Sequence, residues 1–242
     1  MHEEEPVFTL AVPKGRVFPE ARDLLTRAGL PAADLLSEEG RLVWRAGAVR
    51  YLLMRPRDVV SCVREGVADA GLAGKDVLLE DSGGVCELLD LGIGACRLSV
   101  CGPAGPDRCW PALLAERGHT LRVATRYPRV ARDYFGRRGY SPRVIELSGA
   151  VELAPQVGLA DVIVDLVATG RTLRENGLVE YEVIGPISTR LVVNTVSFRW
   201  KAAAVRALCD RLVRACAPGR PVPALTGGGG DYHGGDGMAG RQ

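Results

Sequence analysis

The stretch Val162-Ile163-Val164-Asp165-Leu166-Val167 limits the possible folds more than any other part of the sequence. A nearly continuous apolar run of this length reads as a strand buried on both faces, which occurs where a sheet carries helices on either side. Ala168-Thr169-Gly170-Arg171-Thr172 follows directly, a turn that opens a short helix expected over Thr172–Asn176. The same strand–turn–helix grammar recurs along the chain. Val7–Val12, Ala68–Ala73, Leu98–Cys101, Leu121–Thr125, Val144–Leu147 and Leu191–Val196 are strand candidates. Helical spacing appears at Ala21, Leu24, Leu25 and Ala28, over Asp58–Arg64 and Arg129–Arg138, and in the amphipathic stretch Trp200–Cys216. Ser148 is placed to cap a helix carrying Val151, Ala154 and Val157. This alternation predicts an α/β fold with largely parallel sheets.

Turn-rich breaks near Pro103 and Glu180–Gly185 divide the pattern. They predict two lobes, one from residues 6–98 plus 181–217 and an inserted one from 99–180. The Pro- and Gly-rich residues 218–242 are too poor in apolar surface to offset their ordering entropy and are expected to be a disordered tail. The 31 basic and 29 acidic residues nearly cancel, leaving a net charge of +2. No basic stripe points to nucleic acid, so any anion site must be local. No segment approaches the ~20 apolar residues of a membrane span, and the acidic start Met1–Pro6 is not a secretory signal. Seven cysteines without a C-x-x-C pair fit reduced thiols in the cytoplasm.

The Thr169–Thr172 turn is the strongest chemical signal. Its backbone N–H groups and two hydroxyls can surround a phosphate, and Gly170 permits close backbone approach. Asp165, near the carboxyl end of its strand, can accept hydrogen bonds from ribose hydroxyls, and ligands of open α/β sheets bind at that end. Taken alone, the four-residue pattern fits a capped helix start with a structural Asp165 equally well. Lys14, Arg16, Lys75 and Arg97 lie in or beside other predicted strand-to-helix loops, where a cleft would gather them.

The segment from Glu146 to Leu178 resembles the signature of ATP phosphoribosyltransferases. Glu152, Gly158, Asp165, Thr169, Gly170, Thr172 and Leu173 stand at that family's spacing. The resemblance runs from about Phe8 to Arg199. It includes Pro13-Lys14-Gly15-Arg16, Arg55-Pro56-Arg57-Asp58, Gly71-Leu72-Ala73-Gly74-Lys75-Asp76, Cys96-Arg97-Leu98-Ser99, Ala124-Thr125-Arg126-Tyr127-Pro128 and Asn194 to Arg199. It implies a two-lobed fold similar to type II periplasmic binding proteins, with the substrate cleft between the lobes. It also implies transfer of the phosphoribosyl group of phosphoribosyl pyrophosphate (PRPP) to N1 of the adenine of ATP, the first step of histidine biosynthesis.

On this resemblance, Ala168, Thr169, Gly170, Arg171 and Thr172 hold the 5′-phosphate of PRPP, with Glu152 and Asp165 near its ribose. Lys14, Gly15, Arg16, Lys75 and Arg97 meet the phosphates of ATP or pyrophosphate, and Arg16, Lys75 and Asp165 are the expected catalytic groups. Mg²⁺ enters on the phosphates and needs no protein ligand set. The chain resembles the short form of the family, whose partner is a histidyl-tRNA-synthetase-like regulatory subunit, in a hetero-oligomer that contains a homo-oligomer. Blander expectations attach to Cys96 and Cys101 as small core residues, to Phe198 and Trp200 in the core or an interface, to His119 on the surface, and to Arg55 and Asp58 as a helix-start pair. Two other classes share parts of this pattern. A solute-binding protein would need export, and a transferase acting on a free base would carry two adjacent acids where Asp165 is followed by Leu166. An inactive scaffold would not need Asp165, Thr169, Gly170 and Thr172 intact.

Overall fold

The computed structural model describes residues 8–35, 41–81, 83–105, 109–117 and 120–216, apart from the side chains of 114–117. The expected tail and His119 lie outside the described residues. In chain order the first elements are β1 (Phe8–Pro13), α1 (Phe18–Arg27), β2 (Val43–Ala46), β3 (Val49–Met54), α2 (Pro56–Arg64), β4 (Ala70–Gly74), α3 (Lys75–Glu80) and β5 (Val85–Asp90). Next come β6 (Cys96–Pro103), α4 (Trp110–Arg117), β7 (Arg122–Thr125), α5 (Pro128–Gly136), β8 (Arg143–Glu146), α6 (Leu153–Gln156), β9 (Val162–Val167), α7 (Arg171–Glu175) and β10 (Leu178–Ile187). The chain then runs through β11 (Thr189–Asn194), α8 (Thr195–Trp200) and α9 (Ala202–Ala215).

The strands form two sheets, in the orders β2-β3-β1-β4-β11-β5 and β10-β6-β9-β7-β8. Parallel pairing joins β1 to β3 and β4, and β7 to β8 and β9; the remaining pairings are antiparallel. The sheets are therefore mixed and not largely parallel. The reason lies in the connections: β2 and β3 form a hairpin at Gly47 (φ 58°), and β10 and β11 follow each other across one residue without a crossover helix. The change of sheet falls between Asp90 and Cys96 and again at Ser188, whereas the boundaries expected at 98/99 and 180/181 lie inside β6 and β10.

Each sheet is covered on both faces. One face of the first sheet packs Phe18, Leu24 and Leu25 of α1 and Val205, Leu208 and Leu212 of α9; the other packs Val59, Val60 and Val63 of α2. The second sheet packs Val130, Tyr134 and Phe135 of α5 on one face and Ala154 and Leu173 of α6 and α7 on the other. Burial of each large apolar side chain contributes roughly 1.5–3 kcal/mol. Gly71 in β4 lets α2 approach closely: a Cβ there would stand 2.6 Å from Val59 Cγ1 and 2.8 Å from Val63 Cγ2. Asp69, buried just before β4, receives hydrogen bonds from Thr9 N (2.8 Å), Ser197 Oγ (2.6 Å) and Lys201 Nζ (2.9 Å), tying the first strand to the last helices.

Across the two sheets, α3 and α5 cap each other. The Glu80 carboxylate accepts from Arg129 N at 2.9 and 3.0 Å and from Val130 N at 3.1 Å, the N–H groups that the first turn of a helix leaves unpaired. In return the Arg129 guanidinium donates to the last carbonyls of α3, Glu80 O at 2.8 Å and Leu79 O. Tyr127 Oη adds a bond to Asp76 Oδ2 at 2.8 Å, and Arg57 donates to Arg126 O at 2.5 Å.

Candidate active site

Asp165 sits in β9, register-paired with Ser99 of β6, and the chain turns at Ala168–Gly170 into α7. Gly170 adopts φ 70°, a left-handed conformation that favours glycine and brings the backbone round in one residue. Two guanidinium groups brace the turn: Arg97 Nη1 donates to Ala168 O and Arg174 Nη1 to Thr169 O, each at 3.2 Å. In a trans peptide the N–H points opposite to the C=O. The N–H groups of Thr169 and Gly170 are therefore directed away from Arg97 and Arg174, neither of which lines the cavity on the turn's other side.

That cavity has a volume of about 370 Å³. Ala168, Thr169, Gly170, Arg171 and Thr172 line it together with Glu152, Asp165, Arg16 and Arg126. Ala150, with φ 48°, lines it too, a non-glycine residue held in a strained conformation of the kind found at ligand sites. Burial pushes the Asp165 carboxyl above its ordinary pKa, and the charges of Glu152 and Asp76 add to the rise. The Leu166 N–H (2.8 Å from Asp165 Oδ1) and the Arg126 guanidinium act against it.

A larger cleft of about 620 Å³ opens beside it, between the two sheets. Lys14, Arg16, Arg55 and Asp76 enter from the first sheet; Cys96, Arg126, Tyr127 and Ser148 enter from the second. Arg16, Arg126 and Leu166 line both spaces and form their common wall. Arg126 Nε is buried with no hydrogen-bond partner among the described residues. Its backbone is fixed by Thr125, whose hydroxyl donates to Val164 O at 2.7 Å and accepts from Tyr127 N at 2.9 Å.

The expected site residues therefore separate into groups. Lys14 and Arg16 reach the cleft, and Gly15 (φ 87°) makes the turn between them. Lys75 does not line either space: its Nζ is 2.7 Å from Glu87 Oε2, and it faces a different cavity. Arg97 is bound twice to Glu180, at 2.6 and 2.5 Å, and supports the turn from outside. Ser148 lines the cleft instead of capping a helix; α6 starts later, after Glu152, without a side-chain cap. Cys96 is half-buried, packed against the second sheet's core and reaching the cleft; burial raises its thiol pKa, and Arg16 alongside offsets part of the rise. Phe198 and Trp200 are exposed, Trp200 by 85%. Arg126 and Asp76, which the sequence does not single out as site residues, also line these spaces. Arg126 stands just after the strand expected over Leu121–Thr125, so the strand-end argument applied to Asp165 reaches it as well.

Two helix-covered α/β sheets flanking a cleft, with an anion-sized turn opening beside it, are the architecture of a two-lobed binding fold. A solved structure of the Candida albicans CA3427 gene product, described as showing the generic periplasmic binding protein fold, matches with a TM-score of 0.56 at 10% identity. That likeness covers 87% of this chain and 70% of that one and speaks for the fold alone. Sequence narrows the class. The pattern of HisG, ATP phosphoribosyltransferase, matches residues 55–214. An ATP phosphoribosyltransferase of Bacillus velezensis is 47% identical over 210 residues, covering 86% of this chain and 95% of that protein. A chain of the ATP phosphoribosyl transferase (HisG:HisZ) complex from Thermotoga maritima superposes with a TM-score of 0.72 at 33% identity, over 86% of this chain and 97% of that one. The chain belongs to the ATP phosphoribosyltransferase family, enzymes of the first step of histidine biosynthesis.

Proposed function

We propose that the chain transfers the 5-phosphoribosyl group of PRPP to N1 of the adenine ring of ATP, releasing pyrophosphate. The observation that carries this reading is the shared wall of Arg16, Arg126 and Leu166 between the cavity at the turn and the inter-sheet cleft. One substrate held in each space would meet its partner there, beside Asp165. The Thr169–Thr172 turn takes the 5′-phosphate, and Asp165 and Glu152 face the ribose. N1 of adenine forms its bond to C1 as the C1–O bond to pyrophosphate breaks, the pyrophosphate leaving with the electron pair. The ribose gains positive character and the leaving group negative charge, so the demand is for cations at the leaving group and carboxylates near the sugar. Arg16 and Arg126 meet the first demand; Asp165 and Glu152 meet the second. Lys14 is placed for the ATP phosphates.

Among the described residues no cluster of three or more His, Cys, Asp and Glu could hold a metal ion by itself. The site fits a Mg²⁺ that would arrive on phosphate oxygens and keep several waters, to which Asp165 and Glu152 in the cavity lining would offer hydrogen-bond acceptors. The likeness to a chain from a HisG:HisZ complex supports a regulatory partner of the HisZ kind around a homo-oligomeric core. The use of ATP and PRPP supports a cytoplasmic setting, and no helix among the described residues is long and apolar enough to cross a membrane.

The test is calorimetry of PRPP binding to Asp165→Ala and Thr169→Ala. Each removes a charged or phosphate-directed hydrogen bond worth about 1.5–3 kcal/mol, so affinity should fall at least about tenfold with the circular dichroism unchanged. Unchanged affinity in both variants refutes the assignment of the turn.

A further inference from the structure

The turn that faces the cavity is gripped from behind, and the grip leads to a residue well outside it. Arg97 Nη1 holds Ala168 O and Arg174 Nη1 holds Thr169 O, each at 3.2 Å. Each carbonyl shares a peptide plane with the next N–H, so fixing the oxygen on one side fixes the N–H on the other. Among the described residues neither Thr169 N nor Gly170 N donates a hydrogen bond, and both residues line the cavity. Two free N–H groups aimed the same way are what an anion-binding turn needs.

Arg97 is itself held in place. Glu180 Oε1 accepts from its Nε at 2.6 Å and Oε2 from its Nη2 at 2.5 Å. A guanidinium fork engaged at two points by one carboxylate leaves its remaining nitrogen aimed in one direction, here at Ala168 O. Ser99 Oγ donates to Glu180 Oε1 at 2.8 Å and anchors the carboxylate in turn. The hydrogen bonds from Arg97 and from Ser99 outweigh burial and hold the Glu180 carboxyl below its ordinary pKa, so it stays ionised. β6 carries both Arg97 and Ser99, and it lies between the strand of Glu180 and the strand of Asp165.

Glu180 does not line the cavity, and its charge has the same sign as a phosphate. Charge alone therefore says that removing it tightens the binding of an anion nearby. The geometry says the reverse.

We propose that Glu180 is a positioning residue for the phosphoribosyl substrate: acting through Arg97, it sets the Ala168–Thr169 peptide so that the Thr169 N–H points at the 5′-phosphate. The inference rests on the reading of Thr169–Thr172 as the phosphate site. It gives Arg97 the task of shaping the turn, in place of a contact with ATP or pyrophosphate.

The test is calorimetry of PRPP and, separately, of ATP on the full chain carrying Glu180→Gln, Arg97→Lys or Thr169→Ala, with melting temperatures measured alongside. Glu180→Gln keeps the side chain's size and one acceptor. Arg97→Lys keeps the positive charge but cannot serve Glu180 twice and Ala168 at once. Both should weaken PRPP about five- to tenfold and leave ATP affinity within about twofold of the parent. A purely structural role would lower the melting temperature and weaken both ligands alike. The proposal is overturned by unchanged or tighter PRPP binding in Glu180→Gln, by normal PRPP binding in Arg97→Lys, or by equal losses for PRPP and ATP. Weakened PRPP in Thr169→Ala with none in Glu180→Gln removes the positioning role and leaves the phosphate turn standing. Unchanged PRPP in Thr169→Ala and Asp165→Ala removes both.

Discussion

Replacing Glu80 by alanine removes the acceptor that α3 provides for the start of α5, three contacts between 2.9 and 3.1 Å. α5 has no side-chain cap of its own, so nothing local substitutes. A lost N-cap costs about 0.5–2 kcal/mol, and the loss of a negative charge at a helix N-terminus adds about 0.3–1 kcal/mol. Glu80 is partly exposed, which favours a total of about 1–2 kcal/mol. At roughly 2–4 °C per kcal/mol for a chain of this size, the melting temperature should fall by about 2–8 °C. Glu80→Gln keeps an oxygen acceptor without the charge and should recover about half of that loss. The same contact fixes the turn that carries Arg126 and Tyr127 into the cleft, so turnover from ATP and PRPP should fall along with stability. Differential scanning fluorimetry and steady-state kinetics on the two variants make the comparison. A Glu80→Ala protein that melts within about 1 °C of the parent and turns over normally would refute the reciprocal cap.

Other consequences follow from single positions. Burial raises the Asp69 carboxyl, but hydrogen bonds from Ser197, Lys201 and Thr9 N outweigh it and hold its pKa below the ordinary value. Its contribution to stability is therefore full above the unfolded-state pKa of about 4 and is lost as pH falls through the lower folded value. Urea titrations at stepped acid pH should show that loss, and Asp69→Asn should flatten it; an equally steep acid loss in the variant would count against the assignment. Gly71→Ala pushes a methyl into Val59 and Val63. The cost should be about 1–3 kcal/mol by chemical denaturation, and a neutral result would mean that α2 can shift off β4 freely.

The elements most legible in the sequence were those with an uninterrupted period. The apolar run Val162–Val167 matches its strand end to end, and the helical spacing over Asp58–Arg64 and Arg129–Arg138 matches α2 and α5 to within about two residues, the ordinary uncertainty of helix ends. β10 looks like a break in the sequence because register shifts between Glu180 and Glu182 and between Val183 and Gly185 destroy the alternation that marks a strand. β2 and β3 are hard to see in the sequence because Arg45 and Arg50 interrupt their apolar character and their turn lacks an Asn-Gly or Asp-Gly signal. In the candidate site, local pattern singles out Asp165 and the turn after it, and the family resemblance is what favours phosphate binding over a capped helix start. Lys75 could not be placed that way, since its neighbour Glu87 comes from β5, a strand that reaches β4 only through β11. Arg126 was hidden for the opposite reason: its buried Nε becomes visible only once the sheets stand on either side of it.

The position of β11 also governs the order in which the chain can acquire its shape. β11 lies between β4 and the edge strand β5, so β5 cannot join the β2-β3-β1-β4 part of the first sheet until Thr189–Asn194 is available. The second sheet, β6 to β10, is contiguous in sequence and closes without strands from outside it. On a ribosome the later-made half therefore completes first, while the earlier half waits with the edges of β4 and β5 open. Joining Leu191 to Leu72 closes a longer loop than joining Ile187 to Cys96 in the second sheet, and such non-local pairing is slow in both. The interval before β11 arrives is when nascent chains are most exposed to edge-to-edge association, and it ends in a single step.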